Sequence, residues 1–363
     1  MLSRRAVLKS AALGLTAPFV NRGRFCLFGQ STLAYSALTL DLVRRCTVID
    51  MLGLLTLNYR KLSDWESQPD RFGPADYQRL KNSGITIFHP AVGFTEGDVY
   101  ASSLRDIEGL NAFMSAHEDE FLRVDAPADF PRAKSLGKIG ILIGQQNSKH
   151  FRTVEDVDSF YRLGQRVSQL TYVRNRLGGG SSDAFDIGLS GFGAQIVERM
   201  NAIGMAVDIS HCGDRTTLDA IEASSKPVLI THSNCRALVP SSPRCKTDEA
   251  IRRTAAKGGV IGVTMVRYFV HSGATATIED VLDHVDHVVG LVGVEHVGLG
   301  SDVDLDGRDL NPNAARKNDL DGIHYAQKVF DLTEGLLRRN YSPANIELIL
   351  GGNFQRALSA IWT

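Results

Sequence analysis

The sequence predicts a (β/α)8 barrel, and three observations carry that prediction. From residue 45 onward, eight short β-branched runs alternate with amphipathic stretches. The runs are apolar throughout, which suits parallel strands covered on both faces. Polar side chains recur where the runs stop: His89, Gln146, Tyr172, His211, His232 and Asp302. Barrels of this kind gather their chemistry at the C-terminal ends of their strands. A doubly wound open sheet is the competing architecture, but no GxGxxG follows a first strand.

The first candidate strand is "CTVIDML" (46–52), followed by a long excursion over 53–74. "ITIFHPAV" (85–92) is the second, and a longer excursion, 93–137, separates it from "KIGILIG" (138–144). Then come "VSQLTYV" (167–173), "AVDISH" (206–211), "PVLITHS" (227–233), "GVIGVTMV" (259–266) and "HVGLGSD" (296–302). Between two of them, "LSGFGAQIVERMNAIG" predicts a helix, with Ser190 as N-cap and Ile196, Val197 and Met200 on its apolar face. Gly204 is its expected stop. "SPANIELILGG" predicts another, capped by Ser342, with Pro343 at the first helical position and Gly351 past the end. No Pro/Gly/Ser-rich linker or internal repeat marks a second domain, so 35–363 is expected to be one barrel.

Composition excludes several classes. The 363 residues carry 40 basic and 41 acidic side chains, net −1, with no basic stripe for nucleic acid and no acidic tail. Beyond the N-terminus no apolar run approaches the roughly 20 residues of a membrane span. The cysteines, Cys26, Cys46, Cys212, Cys235 and Cys245, are odd in number and form no disulfide scaffold or CxxC pair. Cys212 and Cys235 flank the two late histidines and are expected to pack as small residues, not to ligate.

The N-terminal "SRRAVLKSAALGLTAPFV" resembles a twin-arginine export signal, with Ser3, Arg4, Arg5, Val7, Leu8 and Lys9 at the pattern's positions. It implies that residues 1–30 are a signal and that the protein is periplasmic or otherwise exported. That route carries folded proteins, so export requires no disulfides. The competing expectation is a basic amphipathic end on a cytoplasmic protein. No clear A-x-A cleavage site follows.

From about residue 35 to the end, the sequence resembles the renal or membrane dipeptidases, zinc-dependent peptidases of the metal-dependent hydrolase barrels. "GLSGFGAQIVERMNAIGMAVDISHCGDRTTLDAIEASSKPVLITHSNCRAL" is similar to that family's G-x-S-x-x-G, M-N-x-x-G-M, D-x-S-H and S-H-S-x-x-R-A signatures. "GLGSDVD" and "GGNFQRAL" resemble two further segments. The resemblance implies a two-zinc site, with His211 and His232 as the histidine pair of one ion. It implies that Arg244, in "PSSPRCKTDEA", meets a substrate carboxylate and that Asp302 is the general base beside the attacking water.

The rest of the family's site is altered. Its D-x-H-x-D segment reads "DMLGL": Asp50 survives, but Leu52 and Leu54 stand at the His and Asp ligand positions. The bridging glutamate is matched by Gln146 or, shifted by one, Gln145. The carbonyl-stabilising histidine is matched by Tyr172. Leucine offers a metal no lone pair, and glutamine offers only a neutral carbonyl. The expectation is at most one zinc ion, on His211, His232 and Gln146, with Tyr172 and Asp302 as catalytic groups and Tyr172 and Arg244 touching substrate. Asp304 and Asp306 faintly suggest a calcium loop, but no glutamate closes it.

Two functions compete. One is an exported dipeptidase-like hydrolase acting on a dipeptide or related small carboxylate-bearing amide. The other is a non-peptidase descendant that binds or modifies a peptide-like small molecule without dinuclear zinc hydrolysis. Either would work on a small molecule, not nucleic acid, and a homodimer is compatible with both.

Overall fold

The eight apolar runs become eight parallel strands that close on themselves. The computed structural model describes residues 23–27, 34–308 and 317–362. The expected signal, 1–30, lies outside the described residues apart from 23–27.

We label the strands β1 (Ile49–Asp50), β2 (Ile87–Phe88), β3 (Ile139–Ile141, resumed at Gly144–Gln145), β4 (Val167–Gln169) and β5 (Ala206–Asp208). They continue as β6 (Leu229–Ser233), β7 (Val260–Val263) and β8 (Val297–Leu299). Each pairs in parallel with the next. β8 pairs with β1 through Leu299 and Asp50, which shuts the barrel. The paired segments are shorter than the apolar runs because the ends of the runs leave the ladder and build the mouth.

The helices follow their local chemistry. Ser190 accepts from the Gly193 amide and caps Gly191–Ile203, and Gly204 ends it in the left-handed region at φ 81°. Ile196, Val197 and Met200 are fully buried, as the apolar stripe predicts. Ser342 caps Pro343–Glu347. Gly351 lies past its end as expected: after the wide turn from Leu348 the backbone at Gly351 is non-helical, φ 179°, and separates that helix from Asn353–Trp362. There a Cβ on Gly351 would lie 2.0 Å from the Thr47 carbonyl, so glycine serves close packing under β1 as well as the stop.

The excursions hold structure of their own. The first carries the helix Tyr59–Ser67. The second carries Val99–Ala116, Asp129–Ser135 and a ninth parallel strand, Phe121–Arg123, on the edge of β3. A short antiparallel ribbon, Arg24–Phe25 with Tyr35–Ser36, precedes the barrel. No helix among the described residues is long and apolar enough to cross a membrane.

Candidate active site at the barrel mouth

Gln146, Tyr172, His211 and Asp302 line one cavity of about 200 Å³, together with Arg308, Tyr268 and an apolar wall that includes Leu54 and Leu55. His232 is fully buried directly behind it, its Nε2 3.0 Å from His211 Nε2. Sequence order thus delivers five of the six strand-end residues to one place. The sixth, His89, does not line this cavity; its Nδ1 donates to the Leu142 carbonyl at 2.7 Å.

A polar chain behind the histidines fixes their protons. Thr231 Oγ1 donates to Asp208 Oδ2 at 2.7 Å and therefore accepts from His232 Nδ1 at 2.8 Å. With its proton on Nδ1, neutral His232 presents a bare lone pair at Nε2. His211 then donates to it from its own Nε2. Burial, then the charge of Arg244, holds both imidazoles well below their ordinary pKa, so both are neutral. The Tyr172 ring stacks on His211, centroids 4.2 Å apart and planes 23° apart. Gly93 makes room for it: a Cβ there would fall 2.9 Å from the tyrosine ring.

Asp302 follows β8 with φ 57°, a left-handed conformation that aspartate tolerates better than most residues. Its amide donates to the Leu52 carbonyl at 3.0 Å, which turns the carboxylate into the mouth. Arg308 Nη2 donates to Asp302 Oδ1 at 2.7 Å, and Arg308 Nε to the Asp302 carbonyl at 2.9 Å. Burial pushes the Asp302 carboxyl up, and the Arg308 and Arg244 charges pull it back. Arg308 was not singled out by sequence reasoning, because it stands in an irregular polar stretch without a motif.

Arg244, expected on a substrate carboxylate, is buried beneath the histidines. Nη1 donates to the Ser210 carbonyl at 2.6 Å, and Nη2 to the His232 carbonyl at 2.7 Å. It therefore ties β5 to β6 and lends the site its charge. Of the two candidates for the bridging position, Gln146 faces the mouth, with its amide nitrogen on the Ala91 carbonyl at 3.0 Å. Gln145 turns to Asp106 at 2.7 Å.

The first-strand half is built differently. Leu52 is fully buried. Asp50 accepts from the Ser301 amide at 2.7 Å and lies 3.5 Å from Lys328 Nζ, both side chains fully buried. Lys328 also donates to the Val303 carbonyl at 2.7 Å. An internal ammonium therefore balances the Asp50 carboxylate. Asp304 and Asp306 are structural: Asp304 accepts from Leu57 and Asp306 amides, and Asp306 pairs with Arg79.

A two-zinc centre does not fit these side chains. Among the described residues no three His, Cys, Asp or Glu groups converge as a metal-holding set. His211 and His232 supply two nitrogens, one fewer than the three protein ligands usual at a catalytic zinc.

Comparison with known proteins agrees with the fold. Dipeptidase tcpJ of Claviceps purpurea is 29% identical over 331 residues, covering 86% of this chain and 75% of that protein. Dipeptidase verJ of Clonostachys rogersoniana is 31% identical over 72% of this chain and 65% of its own length. An amidohydrolase structure from Pseudomonas aeruginosa superposes with a TM-score of 0.77 at 30% identity, over 89% of this chain and 99% of that one. The structure of dipeptidase AC, a metallo peptidase of family M19, superposes at 0.72 with 21% identity, over 87% of this chain and 99% of its own, which speaks to the fold. The model of the membrane dipeptidases, peptidase family M19, matches residues 37–363. The chain belongs to the membrane dipeptidase family.

Proposed function

We propose that the barrel mouth takes a dipeptide or a related small carboxylate-bearing amide, that the protein acts on it outside the cytoplasm, and that it does so with at most one metal ion. The observation that supports this reading best is the Asp302–Arg308 pair in a small, apolar-walled cavity. A substrate carboxylate is complementary to Arg308, which leaves the Asp302 carboxylate to face the water. The curated relatives named as dipeptidases point to the same class.

Asp302 is the proton acceptor in this reading. Its carboxyl, raised by burial, is better matched to taking a proton from water near neutral pH than a solvated aspartate. The Tyr172 hydroxyl, at the family's carbonyl-stabilising position, donates to the amide oxygen, and Arg244 adds positive charge behind it. No step runs through a zinc pair.

The second reading, binding or modification without hydrolysis, has its own support: Leu52, Leu54, Gln146 and Tyr172 depart together from the family's set. One experiment separates the two. Purified protein is analysed for bound metal, then titrated calorimetrically with a dipeptide panel while products are followed by mass spectrometry. Turnover with one ion or none per chain supports the hydrolase; binding without turnover supports the second reading. No binding by any zwitterionic dipeptide would sink both, and two tightly bound zinc ions would refute the ligand assignments. Export is tested separately: Arg4→Lys with Arg5→Lys should leave the protein in the cytoplasm, and undiminished export would count against a twin-arginine signal.

A further inference from the structure

A further cavity lies at the end opposite the mouth and, at about 520 Å³, is larger than the mouth cavity. It opens at the N-terminal ends of β2 and β3, beside Ile85 and Lys138. Its floor is apolar, with Leu40, Val43 and Phe330. Its wall carries Arg44, Lys81, Lys134 and Lys138 and no acidic side chain. Arg44 is paired with Asp41 at 2.7 Å on the exposed side. The three lysines have no carboxylate within ion-pair distance among the described residues; Lys81 Nζ donates to the Gly137 carbonyl at 2.6 Å and Lys138 Nζ to the Glu118 carbonyl, neither of which supplies a counter-charge. Residues 1–34 contain five basic side chains and no Asp or Glu.

This concentration of cations is unexpected in a chain of net charge −1. Lys81 and Lys134 are half-buried, and burial pushes both ammonium groups below their ordinary pKa. The positive charges of Lys81 and Arg44 add to the strain at Lys134. Like charges held around a low-dielectric floor are costly unless an anion joins them.

We propose that this cavity is a binding site for a small phosphorylated amphiphile. The phosphate sits among Arg44, Lys81, Lys134 and Lys138, and the apolar body lies on Leu40, Val43 and Phe330. A dianionic head suits several cations better than a single carboxylate does, and lysine serves phosphate as a point charge. The volume falls within the range of small-molecule sites. The site is separate from the mouth and does not depend on what the mouth binds.

The test is calorimetry on the full chain with three probes: n-octyl phosphate below its micelle concentration, inorganic phosphate and n-octyl glucoside. Octyl phosphate should bind roughly ten-fold more tightly than either of the others, about 1.4 kcal/mol. Lys134→Gln should weaken it several-fold without lowering the Tm of the unliganded protein, since it removes a strained charge, and Lys134→Arg should keep it. Sedimentation with phosphatidylcholine vesicles, with and without phosphatidic acid, then tells a lipid headgroup from a soluble phosphate ester. The proposal is overturned by any of three results: no binding of octyl phosphate, equal binding of octyl glucoside or inorganic phosphate, or unchanged affinity in Lys134→Gln.

Discussion

The two halves of the mouth have been treated oppositely. On the β5–β6 side the histidines keep their lone pairs, and the Asp208–Thr231 relay that fixes their protons is intact. On the β8–β1 side Leu52 is fully buried and Leu54 half-buried, and Lys328 is the partner of Asp50. The difference teaches that one barrel mouth can carry polar groups on one side and an apolar wall on the other, provided the buried charge beneath it is balanced from within. Asp50 alone in that interior would be an unpaired buried carboxylate; beside Lys328 and Ser301 it is a fastening.

The sharpest way to break this contrast is to rebuild the altered half. Leu52→His, Leu54→Asp and Gln146→Glu together should raise the metal content by about one ion per chain, while each alone should do little, because a single ligand cannot hold an ion. Circular dichroism must first show that the variant folds. A folded triple variant, with Tyr172→His added, that binds no more metal than the parent would show that the assigned positions are wrong.

Next in size is the fastening itself. Lys328→Met leaves Asp50 buried and unpaired and should cost about 3–5 kcal/mol in urea unfolding. Asp50→Asn in the same background should return part of that loss. If Lys328→Met unfolds at the parental urea concentration, the internal ammonium is not what balances the aspartate.

Acid tests how far the histidine half depends on neutrality. His211 and His232 are pushed down by burial, and two histidines away from the mouth, His150 and His284, are lowered to about 4 by the same cause. A histidine whose folded pKa lies below its unfolded value of about 6.5 takes up protons on unfolding, so its contribution is present above pH 6.5 and lost as pH falls toward 4. Stability should fall by a few kcal/mol over that interval, measured as the urea midpoint against pH. His150→Gln should flatten part of the slope; an unchanged slope would mean that the buried histidines are not its source.

The smallest effect belongs to the relay. Thr231→Val removes the acceptor at His232 Nδ1 and a donor to Asp208, and should cost about 1–2 kcal/mol. The imidazole ¹⁵N shifts of His232 should then report a mixed tautomer. A parental pattern would show that another group holds the proton.

Much of this was legible in sequence and some was not. The eight strands could be read because a strand buried on both faces must be apolar throughout. The strand-end residues could be read because barrel topology sends those ends to one mouth. Phe121–Arg123 could not: three residues inside a helical excursion carry no period. Arg308 and Lys328 were also hidden, since each acquires meaning only from a partner brought in by the fold, Asp302 in one case and Asp50 in the other. Gly351 was legible as a helix stop, but its close approach to the Thr47 carbonyl was not, because glycine after an apolar turn carries no sign of what packs against it. The role given to Arg244 came from resemblance; its buried contacts with the Ser210 and His232 carbonyls became visible only in three dimensions.

The contacts of Asp50 reach forward to Ser301 and Lys328, near the far end of the chain. They therefore also govern when the barrel can shut. Until β8 and the following helix emerge from synthesis, β1 has no neighbour on one side and β7 has an open edge, the kind of surface on which chains join edge to edge. The loop that must close is almost the whole protein, so its entropic cost falls late and in one step. A nascent chain released early would be a sticky open sheet, whereas a finished one locks when a buried lysine meets a buried aspartate.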